Sequence, residues 1–364
     1  MDQQVIIYIH GISPDENLAT IAKVIDGEDL REIQDPQRKM ELSHRKEYEA
    51  LQSGVKRYLR KENKQEEWDK AEHCFTEWGW EYQESDAQNL GASHRLKDAQ
   101  HYLGQRVIKA ITDSYWFTLL PQKAIRKLAL YGLADAFYYI SSDGRKSIRA
   151  RIYHLIGNRL GNLLSDPDST ITITIIGHSA GSVVAFDLVN YLFTEDKLSM
   201  TELLEEANAL EKNISELRKL REQHEMPFTK GDAALEDTLS FVKSLITLKS
   251  IKEDNRLTLR RLITMGSPIA MMALRSDKRI RDLAYGNRIP LDSLGLTANG
   301  KNSEAPLWVN MWNKYDPISF PVEPMVEESP NVKDYHLRTA WNPLNSHTNY
   351  WHSKNVHRLL ARLW

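Results

Sequence analysis

Residues 171–193, ITITIIGHSAGSVVAFDLVNYLF, decide the fold. Ile171-Thr172-Ile173-Thr174 runs into Ile175-Ile176, a short β-branched apolar stretch that predicts a buried strand. Gly177-His178-Ser179-Ala180-Gly181 follows. Ser182–Phe193 then contains neither Pro nor Gly and is apolar nearly all round, which predicts a helix packed on a sheet. G-x-S-x-G alone is a weak signal, but between a strand and a helix it describes a nucleophile elbow. In such a turn the serine takes a strained backbone conformation and its hydroxyl projects from the end of the sheet. The residues two places before and after it must be small to clear the neighbouring strand and helix, which suits Gly177 and Gly181. The N–H of Ala180, at the N-terminus of the helix, would face a developing oxyanion.

Working outward, Val5–Ile9 is a second buried strand ending in His10-Gly11-Ile12. A backbone N–H just after a strand beside the elbow is the place for a second oxyanion donor, here that of Ile12. Arg261–Met265 ends in Gly266-Ser267-Pro268, and Leu307–Trp312 ends in Asn313-Lys314-Tyr315-Asp316-Pro317. Val332–Arg338 is the expected last strand, before a polar loop to His347. Trp78–Tyr82, aromatic with period two, predicts a further strand. Helices are expected over Arg45–Lys70, Leu96–Leu120, Gln122–Ile140 and Arg145–Leu164. Pro121 and Ser141-Ser142-Asp143-Gly144 separate the last three, and Asp166–Ser169 forms a turn. Tyr115-Trp116-Phe117 and Phe137-Tyr138-Tyr139 suit an acyl pocket or the core equally. Strands alternating with helices predict an α/β domain over 1–364: a mainly parallel central sheet with helices on both faces. Ligands of such sheets sit at the carboxyl ends of the strands, where these candidates fall.

Residues 195–256 depart from that alternation. Leu203, Ala207, Leu210, Ile214, Leu217 and Leu220 form a short heptad-like stripe, Pro227–Gly231 breaks it, and Leu235, Leu239, Val242 and Ile246 resume it. The pattern predicts an inserted helical hairpin. A packed elaboration is the plain reading; a lid or a homo-oligomerisation arm are the alternatives.

A serine hydroxyl needs a base within hydrogen-bond reach and a carboxylate to orient that base. In the order Ser…Asp…His, Asp316 directly follows a late strand and is stiffened by Pro317. Asp334 falls in or before the last strand, and Asp292 is weaker. For the base, His336 alternates within the last strand, and His357 belongs to a terminal amphipathic helix with Val356, Leu359 and Leu360. His347 and His352 remain, with His347 in the polar loop after the last strand.

The strand ending in His-Gly, GHSAG, the T-M-G-S-P strand end and the late Asp and His together resemble α/β-hydrolases of the lipase/esterase type, in particular a serine-esterase branch. His347-Thr348-Asn349-Tyr350-Trp351 is similar to a His-x-x-Tyr-Trp segment that carries the base there. The resemblance covers the core strands, about half of the chain. It implies an α/β-hydrolase fold, with Ser179 as nucleophile, His347 as base, Asp316 as its orienter, and the N–H groups of Ile12 and Ala180 as oxyanion hole. The implied activity is hydrolysis of a small-molecule ester or acyl-lipid through an acyl-enzyme. Thioesterase, amidase or acyltransferase chemistry would use the same site, and a silent binding scaffold would be expected to have lost one of the three side chains. Specificity does not carry over, because the long segment before the elbow and the hairpin lie outside the minimal fold.

Composition excludes other classes. Lys+Arg 48 against Asp+Glu 50 gives a net charge of -2, with no global field for nucleic acid. The single cysteine, Cys74, permits neither an internal disulfide nor a cysteine metal cluster and suits a reducing compartment. There is no HExxH and no phosphate-binding glycine loop, so neither metal nor cofactor is expected. The N-terminus lacks a basic signal-peptide region and no run is long enough to span a membrane, so a cytoplasmic protein without an integral membrane segment is expected.

Overall fold

The computed structural model describes residues 2–11, 36–76, 142–164, 168–194, 199–227, 229–273, 285–294, 296, 306–341 and 343–364. In chain order the first half holds β1 (Asp2–Ile9), α1 (Pro36–Leu59), α2 (Gln65–Lys70), β2 (Glu72–Thr76), α3 (Ser142–Leu163) and β3 (Thr170–His178). There follow α4 (Ala180–Phe193), α5 (Met200–Gln223), α6 (Lys230–Glu253), β4 (Leu257–Met265) and α7 (Ile269–Ala273). β5 (Trp308–Trp312), β6 (Val332–His336), α8 (Pro343–Thr348) and α9 (Lys354–Leu363) complete the chain.

The six strands form one sheet in the order β2-β1-β3-β4-β5-β6, every pair parallel. Parallel neighbours require long crossovers, which the helices supply. Val5–Ile9 and Ile173–His178 are buried without interruption, as strands covered on both faces must be. Alternate side chains feed two cores. Val5, Ile7, Ile9, Ile171, Ile173 and Ile175 meet α3, α4 and the hairpin on one face. Ile6, Tyr8, Ile176, Ile263 and Met311 meet α1 and α9 on the other.

From β1 the chain crosses outward to β2, then returns to lay β3 on the other side of β1, and β4, β5 and β6 follow in that direction. The connections after β1 and β3 therefore leave toward opposite edges. This is the topological switch point, the place at the carboxyl ends of the strands where sheets of this kind bind ligands.

Several elements differ in extent from the sequence expectation. The helix expected from Arg145 begins at Ser142, so Ser142–Gly144 is its first turn and not a separator. The stretch Arg45–Lys70 is α1 and α2 with a 3-10 turn between them, and Asn63 in the left-handed region ends that turn. β2 lies at Glu72–Thr76, a strand the alternation did not predict. The expected strand Trp78–Tyr82, the helices Leu96–Leu120 and Gln122–Ile140 and both aromatic triplets lie outside the described residues.

The 195–256 insertion forms two 24-residue helices. Ser199 with Glu202, and Thr229 with Asp232, cap their N-termini as reciprocal boxes. Ion pairs Arg218–Glu236, Arg221–Asp232 and Lys243–Glu211 tie one to the other. Leu203 and Ala207 of α5, and Val242, Leu245, Leu248 and Ile251 of α6, are buried in the core shared with α3 and α4. The stem of the hairpin is thus part of the domain's core. Leu248→Ala is expected to lower the unfolding free energy by about 2–5 kcal/mol in a urea titration. A change under about 0.5 kcal/mol would show that the hairpin is not packed there.

Candidate active site

Ser179 stands between β3 and α4 with φ 54° and ψ -129°, a left-handed backbone that non-glycine residues rarely adopt. Close approach of the surrounding backbone fixes that conformation. A Cβ on Gly181 would lie 2.2 Å from the carbonyl oxygen of Ile9 and 2.6 Å from the carbonyl carbon of His10, so α4 begins directly on the end of β1. A Cβ on Gly177 would lie 2.6 Å from Cα of Ser182. Each glycine is needed for space. The Ser179 N–H donates to the Met265 carbonyl at 3.0 Å, pinning the elbow to β4. Ser182 Oγ donates to the Ser179 carbonyl and lies 2.7 Å from Ser267 Oγ, which binds the turn after β4 to the same point.

The structure brings Ser179, His347 and Asp316 together. Ser179 Oγ lies 2.9 Å from His347 Nε2, and His347 Nδ1 lies 3.0 Å from Asp316 Oδ2. All three are buried. Asp316 sits in the turn after β5: its N–H donates to the Asn313 carbonyl, and its Oδ1 accepts the Ile318 N–H at 3.2 Å. His347 is not in a loop, as the polar sequence suggested, but in the short helix α8, which Pro343 opens.

The other candidates are placed elsewhere. Asp334 accepts the Val322 and Glu323 N–H groups and the Asn310 side-chain amide, so it anchors the β5–β6 connection; burial raises its pKa. Asp292 and His352 are exposed. His336 ends β6, exposed and against Trp312. His357 is buried against the Trp351 carbonyl at 2.7 Å, and desolvation lowers its pKa. Cys74 is buried, and burial pushes its thiol up to about 11, away from the thiolate form.

Ala180 is buried as the first residue of α4, so its N–H has no intrahelical acceptor and lies beside Ser179. Ile12 lies outside the described residues. The neighbouring Gly11 is described: a Cβ there would be 2.9 Å from Ser179 Cβ and 3.1 Å from the Ala180 nitrogen. Gly11 therefore presses on the elbow.

Three residues from the quoted strand-end motifs have supporting roles that the sequence did not assign. His178 Nε2 donates to the His347 carbonyl at 2.8 Å, so the residue before the serine holds the backbone of the residue that meets it. His10 stacks on Trp351 (5.2 Å, 13°) and pairs through Nε2 with Glu47 of α1. Gly266, at φ 58°, leaves room for Asp316 Oδ2 and His178 Nε2, each within 3.4 Å of where its Cβ would stand. Each lies in a motif that marks the end of a strand, but its partner does not follow from that motif; Glu47 meets His10 only through the fold. Tyr350 is pushed well above its ordinary pKa by burial and by the Asp316 carboxylate, so it stays a neutral phenol beside Ser319.

No protein-family model, no curated protein and no solved structure matches the chain. Among the described residues no group of three or more His, Cys, Asp or Glu is arranged to hold a metal ion, and no helix is long and apolar enough to cross a membrane.

The strain at Ser179 has a direct thermodynamic signature. Ser179→Ala and Ser179→Gly both remove Oγ, but only glycine relieves a positive φ. Ser179→Gly is expected to be more stable than Ser179→Ala by about 1 kcal/mol, the reverse of the usual order. Equal stabilities, or alanine ahead, in parallel chemical denaturation would contradict the strained conformation.

Proposed function

We propose that the chain is a serine hydrolase of the α/β-hydrolase type that cleaves carboxylic esters through an acyl-enzyme. The observation that carries the reading is the chain of hydrogen bonds from Ser179 Oγ through His347 to Asp316, at 2.9 and 3.0 Å. Strand order supports it as well. The elbow follows a central strand at the switch point, the carboxylate follows a later strand, and the histidine follows the edge strand, in the order expected for that fold.

In this reading His347 takes the Ser179 proton as Oγ attacks the ester carbonyl. Asp316 holds Nδ1–H, which fixes the tautomer and stabilises the imidazolium. The Ala180 N–H, with the positive end of α4 behind it, receives the oxyanion, and the second donor in this reading is the Ile12 N–H expected from the sequence. His347 then passes its proton to the leaving alcohol, and water repeats the sequence to release the acid. The buried setting strengthens each of these interactions relative to water.

Turnover of para-nitrophenyl esters of graded chain length tests the reading. Ser179→Ala and His347→Ala are expected to lower kcat by on the order of 10⁵–10⁶, and Asp316→Asn by about 10⁴. Wild-type protein that hydrolyses none of the series, or Ser179→Ala with wild-type turnover, would overturn it.

A further inference from the structure

Next to Asp316 and ahead of His347 lies a surface feature that the mechanism does not use. The Trp341 indole is 66% exposed. Its ring lies 5.3 Å from that of Tyr315, centroid to centroid. Arg338 Cζ stands 4.3 Å from the Trp341 ring centroid, and Lys314 Nζ stands 5.1 Å from that of Tyr315. The sequence of groups is cation, ring, ring, cation. Among the described residues neither cation has an ion-pair partner.

The platform is built and held. The amide of buried Asn313 donates to Thr339 Oγ1 at 2.8 Å, and Thr339 Oγ1 donates to the Ser346 carbonyl at 2.6 Å. Asn349 Nδ2 donates to the Thr339 carbonyl at 2.9 Å. The segment bearing Arg338 and Trp341 is therefore tied on one side to the turn carrying Asp316 and on the other to the residues flanking His347. The two rings, tilted at 47° to each other, offer apolar surface, and a guanidinium lying over a ring keeps its in-plane N–H groups free for an anion. Two uncompensated cations on aromatic ground recognise a negative charge carried on an apolar chain.

We propose that Lys314, Tyr315, Arg338 and Trp341 bind the anionic end of an amphiphilic substrate, a carboxylate or phosphate remote from the bond that is cut. This specificity rests on the esterase reading above; the binding itself does not. The chemistry is shared by a monomeric acidic ester and by an anionic lipid head group, so the test carries an arm for each.

The kinetic arm compares the mono-para-nitrophenyl ester of suberic acid, which ends in a carboxylate, with para-nitrophenyl octanoate. At low salt the wild type is expected to favour the acidic ester in kcat/KM. The acidic-to-neutral ratio should fall roughly five- to ten-fold in Lys314→Gln/Arg338→Gln, the scale of two exposed charge contacts. It should be retained in Arg338→Lys and reduced by added salt. A ratio unmoved by the double variant would overturn the proposal. If the wild type cleaves neither ester, the esterase reading fails and the binding arm decides alone. There, Ser179→Ala protein is titrated calorimetrically with suberic acid monomethyl ester and sedimented with phosphatidylglycerol or phosphatidylcholine vesicles. Uptake of the monoester or of phosphatidylglycerol vesicles, lost in the double variant, supports the site and identifies the source. Binding of neither, or equal binding of phosphatidylcholine, would overturn it.

Discussion

The close approach of two backbone segments at the centre of the sheet is the constraint on which the rest of the structure depends. α4 starts against the end of β1 with no room for a side chain at Gly181, and Gly11 returns the contact from the β1 side against Ser179 and Ala180. That contact exists because β1 and β3 are neighbours whose connections diverge. Ser179 is held at positive φ by the contact, since the elbow is hydrogen-bonded to β4 and cannot relax sideways. A residue in that conformation costs on the order of 1–3 kcal/mol and persists only where its surroundings over-determine it. Here two buried strands and a buried helix do so.

A second layer of polar contacts sets the partner of the serine. Asn313, Thr339 and Asn349 join the ends of β5 and β6 to α8, and His178 reaches over from the end of β3 to the His347 carbonyl. Both routes act on the backbone around His347 rather than on its ring. The imidazole, with the His178 ring packed 5.0 Å from it, is thereby placed between a hydroxyl and a carboxylate. In the esterase reading this rigidity is what allows proton transfer in both directions, because the base does not have to be re-ordered at each step. The same polar framework carries Trp341 and Arg338, so a group bound on that platform would be fixed relative to the reacting bond.

Legibility in the sequence followed burial. The carboxyl-terminal parts of β1, β3 and β4 and most of β5 are buried, and these parts were readable; β1 and β4 start three and four residues earlier than expected, in their less buried ends. β2, at the edge, alternates half-buried Glu72 and His73 with Cys74, exposed Phe75 and Thr76, and gave no such run. The hairpin was readable because Leu203, Ala207, Val242 and Ile246 repeat at helical spacing; what it packs against was not, since α3 lies far away in sequence. Ser179 and Asp316 could be chosen by position after strands. His347 was separated from His352 by its expected loop position together with the resemblance, and it lies in a helix that its polar neighbours concealed. The His10–Glu47 pair and the His178 hydrogen bond arise from tertiary contact, for which a single sequence holds no periodic signal.

The central claim is that Ser179 is an activated nucleophile with His347 as its base. Its most direct test is to treat the folded protein with a fluorophosphonate, digest it and locate the adduct by mass spectrometry. The account predicts one modified peptide, spanning Gly177–Gly181 with the phosphonyl group on Ser179, and no adduct when His347 is replaced by alanine. An adduct on another serine, or unmodified wild-type protein under conditions that label known serine esterases, would contradict it.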